Sequence, residues 1–316
     1  MIAVTIQDMT PKLPVSIVYP SISIAMATYN GEKYLEEQLD SILSQSLLPS
    51  EIIVCDDQST DGTQKILDQY QQKGLLKYFV NDKRLGFIGN FKRAVSLTSV
   101  DNYIALSDQD DIWLPGKIQS AADLLLKIEG SQRPAMVYSD LILVDEDKNL
   151  LNQSFRNELG QGAYIHCLDT LLFGCFVNGC TMLMNPNMRN YFSSIPENAS
   201  LNHDTWMSLI AYTFGDVDVV PDSLIWYRKH RDNASDVGNF HKLGRLSRLW
   251  AEVRQSFKKN DLFEDQISFV TEFYHTFQHI LNAEQKKLIQ KFLKLKGKSY
   301  LEKKIALRMF FRGKWK

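Results

Sequence analysis

Short apolar runs alternate with helical patterns between Ser21 and about Leu106, and this alternation constrains the fold more than any other feature. Ser21–Ala27 predicts a strand, and the apolar residues after it recur at helical spacing. The same argument predicts three further strands, Glu51–Cys55, Phe79–Val80 and Tyr103–Leu106. Strands that alternate with helices form parallel βαβ units with right-handed crossovers. The predicted fold class is therefore α/β, with a mostly parallel sheet and helices on both faces.

Beyond the fourth strand the pattern becomes mixed. A helix is predicted from Pro115, with the proline in its first turn, and strand-like runs flank Asp140. Another helix is predicted from Asp204 to Phe214, with Gly215 as its C-cap. Late strands are predicted at Val217–Val220 and Leu224–Tyr227. We predict an N-terminal extension over residues 1–20, a domain over 21–240 and a helical region over 241–316.

The composition supports a large buried core and divides the charge unevenly. The 316 residues are 44% hydrophobic and 11% aromatic, which excludes disordered, collagen-like and disulfide-scaffold classes. The formal charge of -1 conceals a division, because residues 1–240 carry 18 basic and 30 acidic residues, whereas residues 241–316 carry 18 and 7. This asymmetry calls for a partner that the basic part can bind.

The basic excess lies in the last part of the chain. Residues 286–316 contain 12 basic residues and one acidic residue, Glu302, with leucine, isoleucine and aromatic residues interleaved. A basic amphipathic segment of this kind predicts contact with an anionic membrane surface. The alternative is a helical face packed on the preceding domain. Nucleic acid is not an expected partner, because the acidic remainder of the chain would repel phosphates.

The cysteines and the apolar runs indicate a cellular compartment. Cys55, Cys167, Cys175 and Cys180 form no C-x-x-C pair, and we expect buried thiols in a reducing compartment rather than metal ligands or disulfides. Neither a signal peptide nor an apolar run long enough for a membrane span is predicted. The expected location is cytoplasmic, peripheral on the inner face of the cell membrane.

Polar residues cluster at the carboxyl ends of three predicted strands, where ligands bind in open α/β sheets. The clusters are Thr28–Glu32, Asp56–Gly62 and Ser107–Asp111. Asp108, Asp110 and Asp111 would repel one another unless a cation joined them. Oxygen ligands suit Mg²⁺ or Mn²⁺, which also takes phosphate oxygens from a nucleotide. The alternative is an acidic turn that caps the next helix.

Three further acidic residues each have two alternative interpretations. Asp56 and Asp57 either cap the following helix or accept a hydrogen bond from a pyrimidine base. Asp204 stands at the start of a predicted helix, where it is either an N-cap or a functional carboxylate favoured by the helix dipole.

Glycine and cationic residues form two more candidate segments. Asn81–Asn90 contains two cations and two glycines that let the backbone approach a phosphate, although it matches no phosphate-loop or dinucleotide motif. Tyr227–Asn233 concentrates cations around His230, an imidazole that could complete a metal site.

Taken in order, these motifs resemble the bacterial family 2 glycosyltransferases, which have the GT-A fold and use nucleotide sugars. The resemblance covers roughly residues 21–235. It rests on the segments Met26–Glu32, Asp56–Gly62, Ser107–Trp113, His203–Trp206 and Tyr227–Asn233. The form of Ser107–Trp113 is most similar to the rhamnosyltransferases that build cell-wall or capsular polysaccharide. The resemblance implies a nucleotide-sugar-binding half over residues 21–113 and an acceptor half over 114–240.

The resemblance also implies individual roles. Asp204 matches the catalytic base, although Asn202 and His203 precede it where many relatives have an acidic pair. The metal ligands would be Asp108, Asp110 and His230. Residues implied to hold the nucleotide sugar are Thr28, Tyr29, Asn30, Glu32, Asp56, Asp57, Arg84, Gly86, Asn90 and Asp108. Residues assigned to the acceptor side are Trp113, His203 and Trp206.

The expected function is inverting transfer of a sugar, L-rhamnose from dTDP-rhamnose, to a hydroxyl of a growing glycan, with Mg²⁺ or Mn²⁺ as cofactor. The acceptor implied by the family is linked to a polyprenyl lipid. One alternative is a UDP-hexose donor in the same fold, and another is a non-catalytic sugar-nucleotide-binding partner of a polysaccharide assembly complex. A phosphohydrolase is disfavoured, because its carboxylate would follow the first strand, where this chain has Thr28, Tyr29 and Asn30.

Overall fold

The computed structural model describes residues 18–130, 132–197, 201–230 and 262–316. Its central sheet has seven strands in the order β10-β6-β9-β4-β1-β2-β3. Their bounds are β1 Ile22–Thr28, β2 Glu51–Asp56, β3 Lys77–Val80, β4 Tyr103–Ser107, β6 Ala135–Tyr138, β9 Leu183–Met184 and β10 Asp216–Val219. Neighbouring strands are parallel except β9, which is antiparallel to both β4 and β6. The predicted α/β fold with a mostly parallel sheet is confirmed.

A smaller sheet of four strands has the order β5-β11-β7-β8. Its strands are β5 Ile112–Trp113, β7 Ile142–Val144, β8 Leu150–Asn152 and β11 Ile225–Arg228. Strand β5 directly follows the acidic loop, and β11 ends two residues before His230. Since β5 and β11 are antiparallel partners, the small sheet holds His230 beside that loop.

Helices cover both faces of the large sheet. Their bounds are α1 Leu35–Leu43, α2 Thr63–Gln72, α3 Gly86–Leu97, α4 Lys117–Ile128, α5 Phe155–Glu158, α6 Leu168–Leu171, α7 Pro186–Arg189, α8 His203–Phe214, α9 Glu264–Phe277, α10 Ala283–Leu293 and α11 Tyr300–Phe310. Alternate residues of β1 face opposite sides, so Ile24 and Met26 pack with α1 and α4, whereas Ala25 packs with α3 and α8. One buried apolar cluster lies on each face of the sheet, and neither covers the loops at the carboxyl ends of the strands.

Some predicted boundaries differ from the observed ones for reasons of backbone geometry. The helix predicted from Pro115 begins at Lys117, because Gly116 is in the left-handed region with φ of 86°. Helix α3 begins at Gly86, so the glycine-rich segment becomes the first turn of a helix. Gly215 does end α8, but in an extended conformation rather than a left-handed cap.

The C-terminal helices α9, α10 and α11 pack on the domain rather than standing apart. Phe273, Ile289, Phe292 and Phe310 are buried in the same apolar cluster as α3 and α8. The alternative of a packed helical face therefore holds for these residues. The predicted boundary at residue 240 and the motif residue Asn233 lie outside the described residues. Across the described ranges, no helix is both long and apolar enough to cross a bilayer.

All four cysteines are free thiols. Cys55 and Cys180 are buried, and Cys167 and Cys175 are half-buried. The expectation of buried thiols therefore holds fully for two of the four.

Candidate active site

The end of β2 is tied to the end of β1 through Asp56. This carboxylate is fully buried and accepts hydrogen bonds from Thr28 Oγ1 (2.9 Å), the Ser59 backbone N–H (2.9 Å) and Gln64 Nε2 (3.1 Å). Thr28 is itself 1% exposed. Since the protein already occupies both oxygens, the geometry favours a structural role for Asp56 and Thr28 over contact with a ligand.

The neighbouring carboxylate of Asp57 shapes the glycine-rich segment. It accepts hydrogen bonds from the backbone N–H groups of Leu85 (2.7 Å) and Gly86 (2.9 Å) and from Asn81 Nδ2 (2.7 Å). Gly86 has φ of 70°, a conformation that L side chains rarely adopt. Asp57 is 2% exposed, so it organises the loop that would meet a nucleotide.

Asn90 closes this network from within α3. Its amide donates to the carbonyls of Cys55 (2.9 Å) and Thr28 (3.3 Å), and its Oδ1 accepts from Asn81 (2.9 Å). The residue is buried, so it joins the ends of β1, β2 and β3. Sequence reasoning placed Asn90 at the donor, whereas the structure places it beneath the loops.

Tyr29 and Arg84 are exposed members of the predicted donor set and contact each other. The Arg84 guanidinium lies over the Tyr29 ring at 3.6 Å from the centroid, and the Arg84 side chain is 55% exposed. The Tyr29 backbone is held by Gln109, which accepts its N–H (2.8 Å) and donates to its carbonyl (3.0 Å). A cation stacked on an aromatic ring at this loop edge can contact a base and a phosphate.

Asn30 and Glu32 hold the first loop against the second. Asn30 has φ of 48°, and its Oδ1 accepts the backbone N–H of Thr60 (2.8 Å). Glu32 accepts the backbone N–H of Gly62. Both residues are exposed, so they remain within reach of a ligand while they fix the loop.

The acidic loop after β4 meets His230. Asp110 Oδ2 lies 2.9 Å from His230 Nε2, and the His230 ring lies 4.8 Å from that of Tyr34. Arg228 supports the loop by donating to the Asp110 carbonyl (3.1 Å) while it pairs with Glu37. Asp110 and His230, which are 120 positions apart, are thus brought together as the sequence predicted.

Asp108 and Asp111 form a second acidic group with Cys180. One ligand atom of each lies within 4.8 Å of the others. Neither oxygen of Asp111 has a hydrogen-bond partner among the described residues, although both are buried. Burial raises the pKa of both carboxyls, and Asp111 raises that of Asp108 further. An unsatisfied acidic group of this kind fits a loop that binds a divalent cation.

Asp204 lies in the first turn of α8 beside Gly179. The Gly179 backbone N–H donates to Asp204 Oδ2 (3.1 Å). Asp204 Oδ1 is buried 3.3 Å from His203 Nε2, but without the alignment of a hydrogen bond. Because 17% of the side chain is exposed and Oδ1 is not, Oδ2 is the oxygen that an incoming hydroxyl can reach.

His203 is enclosed by aromatic rings. The ring centroids of Phe91 and Phe87 lie 4.5 and 5.1 Å away, and His203 is 1% exposed. Burial lowers the pKa of His203, so the ring is neutral at pH 7. The neutral ring packs beside the Asp204 carboxylate and brings no positive charge to it.

The turn Gly179–Thr181 joins these groups. Gly179 contacts Asp204, and the next residue, Cys180, lies against Asp108 and Asp111. Asp204 is also close enough to Asp108 to raise its pKa. The predicted base and the predicted metal loop therefore belong to one site.

Three residues predicted to contact the acceptor are buried instead. Trp113 is 1% exposed under the Lys117 ammonium, and Trp206 is fully buried against Phe269. His203 is enclosed as described above. Each of the three packs into the core, and their assignment to the acceptor side stays a prediction.

Sequence reasoning missed Gly179 and Cys180 as members of the site. No local pattern marks them, since they reach Asp204 and the acidic loop only through the fold. Asp111 belongs to the predicted acidic cluster but not to the metal ligands that the resemblance implies.

Residues 23–169 match the family model described as glycosyl transferase family 2. That segment, somewhat less than half of the chain, is similar to glycosyl transferase family 2. The resemblance drawn from the motifs is confirmed. The matched segment contains all three strand-end loops, including the acidic loop, whereas Asp204 and His230 lie beyond it.

Relatives of this chain differ in their donors. It is 41% identical to "dTDP-rhamnosyl transferase RfbG" of Shigella flexneri over 106 residues, which cover 32% of this chain and 37% of RfbG. It is 25% identical over 242 residues to "UDP-Glc:alpha-D-GlcNAc-diphosphoundecaprenol beta-1,3-glucosyltransferase WfgD" of Escherichia coli, covering 76% of this chain and 88% of WfgD. The chain thus spans well under two thirds of RfbG.

The fold is similar to that of S. aureus TarS 1-349, solved in complex with UDP-GlcNAc. The TM-score is 0.59 at 17% identity, over 92% of this chain and 79% of that one. The likeness supports the GT-A fold for this chain.

Proposed function

We propose that this chain is an inverting glycosyltransferase that moves a sugar from a nucleotide donor to a hydroxyl of a growing, lipid-linked surface glycan. The observation that carries the proposal is the turn Gly179–Thr181, which joins Asp204 to the acidic loop. This contact supports a base at Asp204 next to a diphosphate site at that loop. We propose L-rhamnose from dTDP-rhamnose as the donor, because the match to RfbG is the most identical of the relatives described. A UDP-hexose is the second candidate, favoured by the longer match to WfgD.

In the proposed reaction Asp204 Oδ2 takes the proton of the acceptor hydroxyl. The hydroxyl oxygen then forms a bond to the anomeric carbon as the bond to the nucleoside diphosphate breaks on the opposite side, with inversion. The electron pair leaves with the diphosphate oxygen. Arg84 and Tyr29 hold the donor at the loop edge.

We propose that Asp110 and His230, with Asp108, hold Mg²⁺ or Mn²⁺. A bound cation would supply charge neutralisation to the diphosphate. Oxygen and imidazole ligands suit these cations better than the Cys180 thiol does, which favours Asp110 and His230 over the buried Cys180 group. We further propose that residues 21–113 bind the donor and residues 114–240 the acceptor.

The donor assignment predicts a selective response to nucleotide sugars. We expect dTDP-rhamnose with Mn²⁺ to raise the melting temperature of the full chain by several degrees, and UDP-glucose to raise it less, because at equal concentration the ligand with the lower Kd stabilises the folded state more. Thermal shift with a donor panel, followed by product analysis on a lipid-linked acceptor, measures this. A larger shift with UDP-glucose, together with transfer of glucose, would change the donor assignment from dTDP-rhamnose to a UDP-hexose. The absence of a shift with every nucleotide sugar would contradict the proposed glycosyltransferase activity.

The close approach of Gly179 predicts a sensitive position behind the base. A Cβ at residue 179 would lie 2.9 Å from His203 Nε2 and 3.4 Å from Asp204 Oδ1, and the rings of Phe87 and Phe91 leave His203 little room to yield. We expect Gly179→Ala to lower kcat by about tenfold to a hundredfold, because a displaced base loses its geometry. Initial-rate kinetics with saturating donor measures this.

The matched control is Gly174→Ala, where an added Cβ meets nothing within 4 Å among the described residues. The control should retain kcat, and both variants should bind the donor as the wild type does. Equal activity of Gly179→Ala and wild type would contradict the proposed position of the base.

A further inference from the structure

One face of helix α11 is apolar and exposed. Leu301, Ile305 and Met309 are 67%, 49% and 59% exposed, and their spacing of four residues lines them up on one side of the helix. Trp315, which follows the helix and packs its ring 5.5 Å from that of Phe311, is 60% exposed. We call these four residues the α11 stripe.

The opposite side of α11 is fixed to the domain. Phe310 is buried, and the fully buried Lys303 ammonium pairs with Glu264 of α9. After the helix, the backbone of Ile165 donates to the Lys314 carbonyl, and Tyr164 and Trp315 form an antiparallel bridge. The stripe is thus held outward on a rigid support, and rotation of the helix could not bury it without breaking these contacts.

Positive charge surrounds the stripe. Arg308 and Arg312 are exposed beside it, and residues 286–316 as a whole have one acidic residue against 12 basic ones. The acidic Glu302 is already paired with Lys298. An outward apolar row with arginines beside it matches an anionic bilayer, in which the apolar side chains enter the headgroup boundary and the cations meet lipid phosphates.

We propose that the α11 stripe and its flanking arginines dock the protein on an anionic phospholipid membrane. The interaction is confined to this stripe, because the other apolar residues of the basic segment, such as Ile289, Phe292 and Phe310, are buried in the core. The proposal goes beyond the transfer reaction and does not depend on it.

The test is flotation of the full chain with vesicles of phosphatidylcholine, with and without about one third phosphatidylglycerol. We expect binding only to the anionic vesicles, weakened when the salt is raised from about 0.1 to 0.5 M. The combined variant Leu301→Gln, Ile305→Gln and Met309→Gln should lower the bound fraction at least about tenfold. Arg308→Gln with Arg312→Gln should weaken binding and reduce its salt dependence.

The matched control replaces equally exposed apolar residues elsewhere, Leu48→Gln, Val100→Gln and Leu150→Gln. It should float like the wild type. Donor-induced thermal shifts should be the same in all variants, which separates a failure of this proposal from a failure of the proposed enzyme. Unchanged flotation of the stripe variant would overturn the proposal. It would also be overturned if light scattering showed that the wild type is a dimer and the stripe variant alone is a monomer, because the stripe would then be a contact between two copies of the chain.

Discussion

Replacement of Asp204 by Asn is expected to abolish most sugar transfer while donor binding stays within about threefold of the wild type. General base catalysis contributes about a hundredfold to ten-thousandfold in rate, so kcat should fall by that order. In the wild type the Gly179 N–H donates to Asp204 Oδ2, and the amide oxygen of Asn can accept the same hydrogen bond. The backbone of the variant should therefore keep its position. The change therefore removes the base and little else.

Two measurements separate the possible roles of Asp204. Initial rates with a defined acceptor give kcat, and titration with the nucleoside diphosphate and Mn²⁺ gives donor affinity. Asp101→Asn, at an exposed position outside the strand-end loops, is the matched control. Near-normal transfer by Asp204→Asn would exclude it as the base. Loss of donor affinity equal to the loss of rate would instead make it a donor-positioning residue.

The first half of the fold was predictable because its signals are local. Each of the four strands β1 to β4 is a short apolar run followed by helical periodicity, and the structure confirms them with shifts of one or two residues at the ends. Strands β5 and β9 have two residues each, too few to show any period. The antiparallel insertion of β9 between β4 and β6 therefore had no signal in the sequence.

The candidate site was predictable as a set of loops but not as a set of roles. Acidic and amide residues at strand ends identified where the site lies. Which of them face a ligand depends on contacts between loops, and these bury Asp56 and Asn90 while leaving Tyr29 and Arg84 exposed. An aromatic residue beside a motif, such as Trp206, has the same sequence signature whether it meets a ligand or fills the core.

The basic tail shows the same limit. Its amphipathic pattern predicted an apolar face but could not say what covers that face. In the structure the domain covers one part of this face, because Phe292 and Phe310 are buried against Phe173. The α11 stripe is the part of the apolar pattern that stays exposed after this packing.

Replacement of Asp110 by Asn is expected to remove the cation dependence of donor binding. In the wild type, Mn²⁺ should strengthen the binding of the nucleoside diphosphate, and EDTA should reverse this. Asp110 offers the charged oxygen and His230 the imidazole nitrogen, held 2.9 Å apart by a loop that Arg228 supports. An amide oxygen carries no charge, so cation-dependent affinity should fall about tenfold to a hundredfold, to the level that EDTA gives in the wild type.

Calorimetry with and without Mn²⁺ measures this difference directly, and Asp147→Asn, at an exposed position of the chain, is its control. Asp111→Asn distinguishes the two acidic groups, because Asp111 lies with Asp108 and Cys180 and has two buried oxygens without a hydrogen-bond partner among the described residues. The cation response should remain in Asp111→Asn, because the cation is proposed to lie at Asp110 and His230. If Asp111→Asn removed the cation response and Asp110→Asn kept it, the cation would belong to the buried group, and Asp110 and His230 would be only a hydrogen-bonded pair.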